Sequence, residues 1–342
     1  MATSSSMRRR TKRTALLFLM PGAAYFLAVF AYPIARTVQM SLYQVNATDF
    51  VTGGWKFIGL GNYSALLHLQ ATSQTLINSA VFLVCSIIFQ FVISMFLVVA
   101  LRRPTLGRRI LRTIVLTPWL LPSVTVAAVF LWIFNAQGGL ANYVLGHIGL
   151  EHHPIQWFAG GGTALGVIIL VNIWIGIPFN FLVLQSGLQA VDLDLHEAAV
   201  VDGAGWWKEL LKITLPIMRE SVFMVLMLGV IGTLKVFDYV WIMTQGGPAN
   251  ATMLPGPLAY SESFIQFDYG RGAAVVLVVV VVMLVLTALY LYVTGRGERL
   301  QRRADARLCL AAAAHQAAAG KAAPPAKQPA GRQAASVSES RS

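Results

Sequence analysis

The sequence predicts an all-α membrane protein of six transmembrane helices, with both termini in the cytoplasm (N-in/C-in). Three observations carry this. Of the 342 residues 56% are hydrophobic and only 12% charged; the apolar residues gather into six runs of the roughly 20 residues that cross a bilayer; and basic residues collect on alternate connections. A soluble domain carries about twice that share of charge, so a mean hydropathy of +0.65 excludes a water-soluble enzyme with one ordinary core. A net charge of +12 would suggest nucleic acid in a soluble chain. Here it follows membrane topology, and no nucleic-acid partner is expected.

The elements follow in order. Residues 1–13 form a basic N-terminus with Arg8, Arg9, Arg10, Lys12 and Arg13. The first span, 14–35, is read as an uncleaved anchor: its apolar stretch is too long for a signal peptide and no small-x-small cleavage site follows it. The loop 36–75 is expected outside, as an ordered cap. Span two, 76–101, is followed inside by Arg102, Arg103, Arg108, Arg109 and Arg112. Span three, 112–134, opens at Pro118 and Pro122, which a membrane helix tolerates when neighbours satisfy the freed carbonyls. The outside loop 135–161 holds His147, His152 and His153, too few convergent ligands for a metal site. Span four is 162–184, span five 222–244 and span six 273–294, the last without an ionisable side chain. Residues 296–342 make a basic, Ala/Pro-rich cytoplasmic tail that reads as disordered. The inside segments thus hold nearly all the basic residues; only Arg36, Lys56 and Arg271 fall outside, and Lys235 falls within a span.

Catalytic chemistry is absent from this pattern. Cys85 and Cys309 lie in an apolar run and in the tail, which supports neither a disulfide nor a metal framework. No Gly-x-x-x-x-Gly-Lys-Ser/Thr run occurs, so no phosphate-cradling loop is evident, and any pumping must draw on a partner or an ion gradient. No cofactor is expected on this chain.

The inside loop 185–221 is the informative connection. Glu197 to Val201 suits a short helix, since alanine is the best helix former and acidic residues favour the first turn. Gly203 and Gly205 permit a sharp break. Trp206, Trp207, Leu210, Leu211 and Ile213 then form an apolar face opposite Lys208, Glu209 and Lys212, which suits either a partner protein or a helix lying on the membrane. Glu197-Ala198-Ala199, Asp202-Gly203-Ala204 and Ile213-Thr214-Leu215-Pro216 resemble the EAA loop, here 195–216, of binding-protein-dependent ABC importer permeases. More narrowly, the chain resembles the MalF-type sugar permease subunits. The likeness continues through Phe57-Ile58-Gly59-Leu60, Asn62 and Tyr63, through Trp132, Asn135 and Asn142, through Trp174, Gly176 and Pro178, and through Lys235-Val236-Phe237-Asp238 and Thr244 to Thr252. It covers about residues 14–295, without the extra N-terminal spans and large outside domain of the bigger relatives.

The resemblance implies a type I ABC importer permease fold over 14–295. It also implies a second homologous permease, an ABC ATPase dimer that binds the ATP–Mg, and an extracytoplasmic solute-binding protein. The EAA segment, with Glu197, Ala198, Ala199, Asp202, Gly203 and Ala204, would be a coupling helix seated on the ATPase. Charges inside a span are costly and default to function. Lys235 and Asp238, three apart on one helical face, either pair to set helix packing or line a polar path. Matched to the family, Asn172, Gly176, Phe179, Gly229, Thr233 and Asp238 point to a substrate path. Gly176 and Gly229 equally suit close helix packing. The expected function is import of a sugar or sugar-like polyol by alternating access. Glycerol phosphate or another polar solute is the alternative cargo, and an ion-coupled secondary transporter or a non-transporting scaffold are alternative classes.

Overall fold

The computed structural model describes residue 14 and residues 17–102, 107–150 and 153–292; the N-terminus 1–13 and the tail 296–342 lie outside these. Contacts divide the chain into two units, 1–288 and 289–342, and of the second only residues 289–292 are described. Four helices are long and apolar enough to cross a membrane: Leu17–Ser41, Gln70–Ala100, Gly161–Leu188 and Tyr269–Tyr292. At 1.5 Å per residue each exceeds the roughly 30 Å of hydrocarbon.

Spans three and five are not the straight helices the apolar runs suggest. Arg108–Leu120 and Ser123–Ile133 meet at 105°, and Trp206–Ile217 and Arg219–Leu234 meet at 79°; counting each bent pair as one span gives six. The first bend is made by proline. Pro118 and Pro122 lack an amide hydrogen, and Leu121, preceding Pro122, is extended at φ −90° and ψ 134°, as a residue before proline prefers. The second bend follows Pro216, at Met218. A further break, which the expected span 222–244 did not include, ends Arg219–Leu234 at Lys235, and the chain restarts as Asp238–Thr244. No proline marks it. The cause is tertiary: a Cβ on Gly256 would lie 2.7 Å from the Val236 carbonyl oxygen, so that bare backbone is pressed against the break. Phe237, Trp241 and Tyr260 then cluster around it, with ring centroids 4.6–5.9 Å apart.

Spans two and four run side by side in the same direction and carry the two main cores. At one end Phe82 meets Val126, Phe130, Val167, Ile168, Val171, Tyr239 and Val240. At the other, Met95, Val98 and Leu101 meet Phe181, Leu184, Leu210, Met218 and Val225. The face of span two that makes these contacts repeats every fourth residue: Asn78, Phe82, Ser86, Gln90, Ser94 and Val98 are all buried. Helical neighbours at that spacing share one face, so a stripe rich in small and polar side chains forms the seam. By contrast, the first span buries almost nothing before Ser41 at its end.

The end remote from the 193–217 loop is closed by an ordered cap. Tyr43–Gln44 and Lys56–Phe57 pair antiparallel, and Arg36 lies over the Trp55 ring at 4.5 Å. Asn62 donates to the carbonyls of Ser41 and Tyr43 at 2.8 and 2.9 Å. The Tyr269 amide donates to the Val45 carbonyl at 2.9 Å, tying this loop to the start of span six. Asn78, on span two, donates to the carbonyls of Asn250 and Met253 and so fixes the loop after span five.

Beside this junction Arg271 bridges Asp268 at 2.7 Å and Glu262 at 3.3 Å. Burial pushes the Glu262 carboxyl above its ordinary range, while Arg271 pulls it down and Asp268 pushes it up. With the folded-state pKa raised, the stability conferred through Glu262 is fully present below the ordinary carboxylate range and is lost as pH rises through the raised value. Glu262→Gln, which cannot ionise, is expected to flatten that part of the pH dependence of thermal unfolding; an unchanged profile would remove Glu262 as its source.

Candidate functional site

The loop between spans four and five has an exposed limb and an anchored one. The exposed limb is the helix Leu193–Val201, with Asp194 in its first turn. It ends in a left-handed turn. Gly203 adopts φ +68°, the Asp202 amide donates to the Ala198 carbonyl, and the Ala204 amide donates to the Ala199 carbonyl, both at 2.9 Å. Such a cap satisfies carbonyls that would otherwise be orphaned. A Cβ at Gly203 would meet nothing within 4 Å, so conformation alone requires glycine there. Glu197, Ala198 and Asp202 are exposed, Ala199 is buried and Ala204 half-buried.

The anchored limb begins at Gly205 and runs through Trp206–Glu209. Leu210 and Thr214 are buried, and Leu210 joins Met95, Leu101 and Leu184 in the core at this end. Arg102, just past span two, pairs with Glu209 at 3.0 Å, and both side chains are more than three-quarters buried. Shielding from water makes such a pair less sensitive to salt than a surface one. The exposed helix is therefore mounted on a base fixed to spans two, four and five.

The polar residues expected along a substrate path separate into two groups. Asn172 and Thr233 are buried, with the Asn172 amide donating to the Thr233 hydroxyl at 3.4 Å. Tyr239 donates its hydroxyl to the Asn172 side-chain oxygen at 2.7 Å, so these groups fasten span four to both halves of span five. Gly176 belongs to the same seam, since a Cβ there would lie 2.4–2.6 Å from the Gln90 amide group. The second group is open. Lys235 and Asp238 are both exposed and sit on either side of the helix break, not on one helical face. They form no ion pair among the described residues; Asp238 instead accepts from the Ser123 hydroxyl at 2.9 Å, at the first residue of Ser123–Ile133. Phe179 is half-buried beside Trp119, with centroids 6.3 Å apart. Gly229 has only Ile87 within 4 Å of an added Cβ, at 3.9 Å, so no tight contact holds that position.

Five contacts lay beyond the sequence reading. Gln90 donates to the Asn172 carbonyl at 2.9 Å, and its own oxygen accepts from Asn180 at 3.5 Å. Ser94 donates to the Ile177 carbonyl at 3.2 Å; with Gln90 it brackets Pro178, inside the span-four helix. The Arg102–Glu209 pair and the Ser123–Asp238 bond complete the set. The four-residue spacing of Asn78, Ser86, Gln90 and Ser94 was the available signal, because neutral polar side chains in step on one face mark a buried polar seam. Neither bond to Arg102 nor bond to Ser123 had any sequence signature, as each joins segments about 107 or 115 residues apart.

Residues 90–297 match the family described as the binding-protein-dependent transport system inner membrane component. Over 296 residues the chain is 30% identical to the trehalose/maltose transport system permease protein MalF of Thermococcus litoralis, covering 86% of this chain and 98% of that one. It is 32% identical over 278 residues to the trehalose transport system permease protein SugA of Mycobacterium tuberculosis, covering 80% and 85%. It is 31% identical over 264 residues to the sulfoquinovosyl glycerol transport system permease protein SmoG of Agrobacterium fabrum, covering 77% and 84%. Its fold superposes with a TM-score of 0.72, at 22% identity, on a chain of a bacterial ABC transporter involved in import of the acidic polysaccharide alginate; 85% of this chain and 99% of that one are covered. The chain belongs to the inner-membrane permease family of binding-protein-dependent transport systems, as a multi-pass and non-catalytic membrane subunit.

The Gln90–Gly176 contact gives a direct test of the seam. Gly176→Ala is expected to destabilise by about 1–3 kcal/mol, as overpacking does. Adding Gln90→Ala should recover part of that loss, so a thermal-unfolding double-mutant cycle reads clearly non-additive. Additive effects would show that the two positions do not touch.

Proposed function

We propose that this permease-family chain imports a sugar or sugar-like polyol by alternating access, driven by ATP hydrolysed in a partner ATPase dimer. A solute-binding protein delivers the cargo, a second homologous permease completes the pathway, and both termini face the cytoplasm. The observation that carries the reading is the mounting of the Leu193–Val201 helix: exposed itself, yet fixed through Leu210 and the Arg102–Glu209 pair to three spans. Force applied there moves the bundle as a body, which is what rocking between inward- and outward-open states requires. Glu197, Ala198 and Asp202 present the face that an ATPase groove would receive.

Cargo chemistry is supported by two lines. Relatives carry trehalose, maltose and sulfoquinovosyl glycerol in their names. Lys235, Asp238, Ser123 and the Trp119–Phe179 pair together supply hydrogen-bonding groups and aromatic faces, the combination that polyhydroxylated rings take. Among the described residues Asp238 has no cationic partner, which weighs against glycerol phosphate or any strongly anionic solute in contact with it.

The test is ATPase activity and uptake by the reconstituted complex against a panel of neutral sugars and anionic solutes. Stimulation by a neutral sugar through the binding protein is expected, and stimulation only by an anionic solute would overturn the cargo assignment. Gly203→Ala, which places a Cβ at positive φ at a cost of about 1–2 kcal/mol, and Glu197→Lys should each cut stimulated hydrolysis several-fold while the complex still assembles. Normal stimulation and uptake in both variants would refute the coupling role.

A further inference from the structure

A basic helix face lies where the Arg108–Leu116 helix packs against the end of span four. Arg108 and Arg112 are four residues apart and share one helical face. Val115 and Leu116 pack into the core at that end, so this face runs along the protein body. The Nε atoms of both arginines are buried and without a hydrogen-bond partner, although a guanidinium N–H out of water needs an acceptor. Among the described residues no carboxylate pairs with either arginine. The adjoining flank of the helix, from Leu111 round to Ile114 and Ile110, is 50%, 60% and 66% exposed at those three residues.

The bend says what meets these two faces. Arg108–Leu120 turns 105° from Ser123–Ile133. With Ser123–Ile133 along the bilayer normal, the Arg108–Leu116 helix lies close to the membrane plane, where a basic and apolar amphipathic helix sits at headgroup depth. The Trp206–Ile217 segment repeats the arrangement at the same end, bent by 79° and exposing Trp206, Trp207 and Leu211 beside Lys208 and Lys212. We propose that the Arg108–Arg112 pair binds the phosphate of an anionic membrane phospholipid, while Ile110, Leu111 and Ile114 sit among the acyl chains. A guanidinium offers phosphate paired N–H donors, and both arginines are only half-buried, so part of each side chain remains open to an anion from outside. The lipid reading is favoured over a protein carboxylate because the exposed apolar flank is continuous with the basic one and lies in the plane where lipid is the solvent. The site is independent of which solute is carried.

The test uses the assembled transport complex, equilibrated with vesicles of phosphatidylcholine with or without phosphatidylglycerol, and counts retained lipid by native mass spectrometry. One phosphatidylglycerol per copy of this chain should be retained with about tenfold preference over phosphatidylcholine. Arg108→Gln/Arg112→Gln should abolish the preference, and Arg109→Gln, on an exposed position of the same helix, should keep it. Should the double variant not assemble, Arg112→Gln alone should lower the preference in complexes that do. Unchanged retention in the Arg112 variants would overturn the proposal. So would full displacement of phosphatidylglycerol by inorganic phosphate, which marks a free-anion site, or preference in the isolated chain that vanishes in the complex, which marks a subunit contact.

Discussion

A buried amide in a bundle this apolar has to find its partner within the protein, and Gln90 is where that constraint is most concentrated. Its side chain reaches the Asn172 carbonyl, takes a bond from Asn180, and lies over the bare backbone of Gly176. Each of those partners would be costly to leave unmatched in low dielectric. Since hydrocarbon gives helices no hydrophobic reason to prefer each other over lipid, small residues and polar bonds decide which faces meet. The register of span two on span four, and through Asn172 the placement of both halves of span five, follow from that seam.

The same packing supports the proposed coupling of the exposed helix to the membrane domain. Leu210 is packed with residues from spans two and four, and Glu209 is held by Arg102. The left-handed turn at Gly203 joins this base to the Leu193–Val201 helix without a flexible tether. Two rigid pieces joined by a single defined turn transmit displacement; a floppy loop would absorb it.

Much of this was legible in the sequence. The four long membrane helices and the two bent pairs all fall on apolar runs read from the sequence, and the Glu197–Ala204 segment announced its helix and its turn through alanine, glycine and their spacing. The bending of spans three and five did not follow, because proline in a membrane helix is compatible with either a kink or a tolerated site, and only neighbours decide. The break at Lys235–Phe237 was less visible still: its sequence has no helix breaker, and Gly256, the residue that presses on it, is some twenty positions away. Asn172 and Gly176 were singled out as path candidates by family resemblance, with close packing an equal reading for Gly176, and their geometry is that of a packing joint. Residue chemistry identifies who is polar inside the membrane; only tertiary contacts tell a joint from a lining.

The interruption between Leu234 and Asp238 has a consequence for where lipid can lie. Breaking a helix uncovers carbonyls at the end of one half and amides at the start of the next, and lipid tails can satisfy neither. An irregular stretch at that depth is stable only when protein or a wet cavity surrounds it. Gly256 covers one side, and the other is the side on which Lys235 and Asp238 are exposed. That flank must therefore meet water or another protein surface, not lipid. The fracture thus divides the perimeter of this subunit into a wall that can face oil and a wall that cannot.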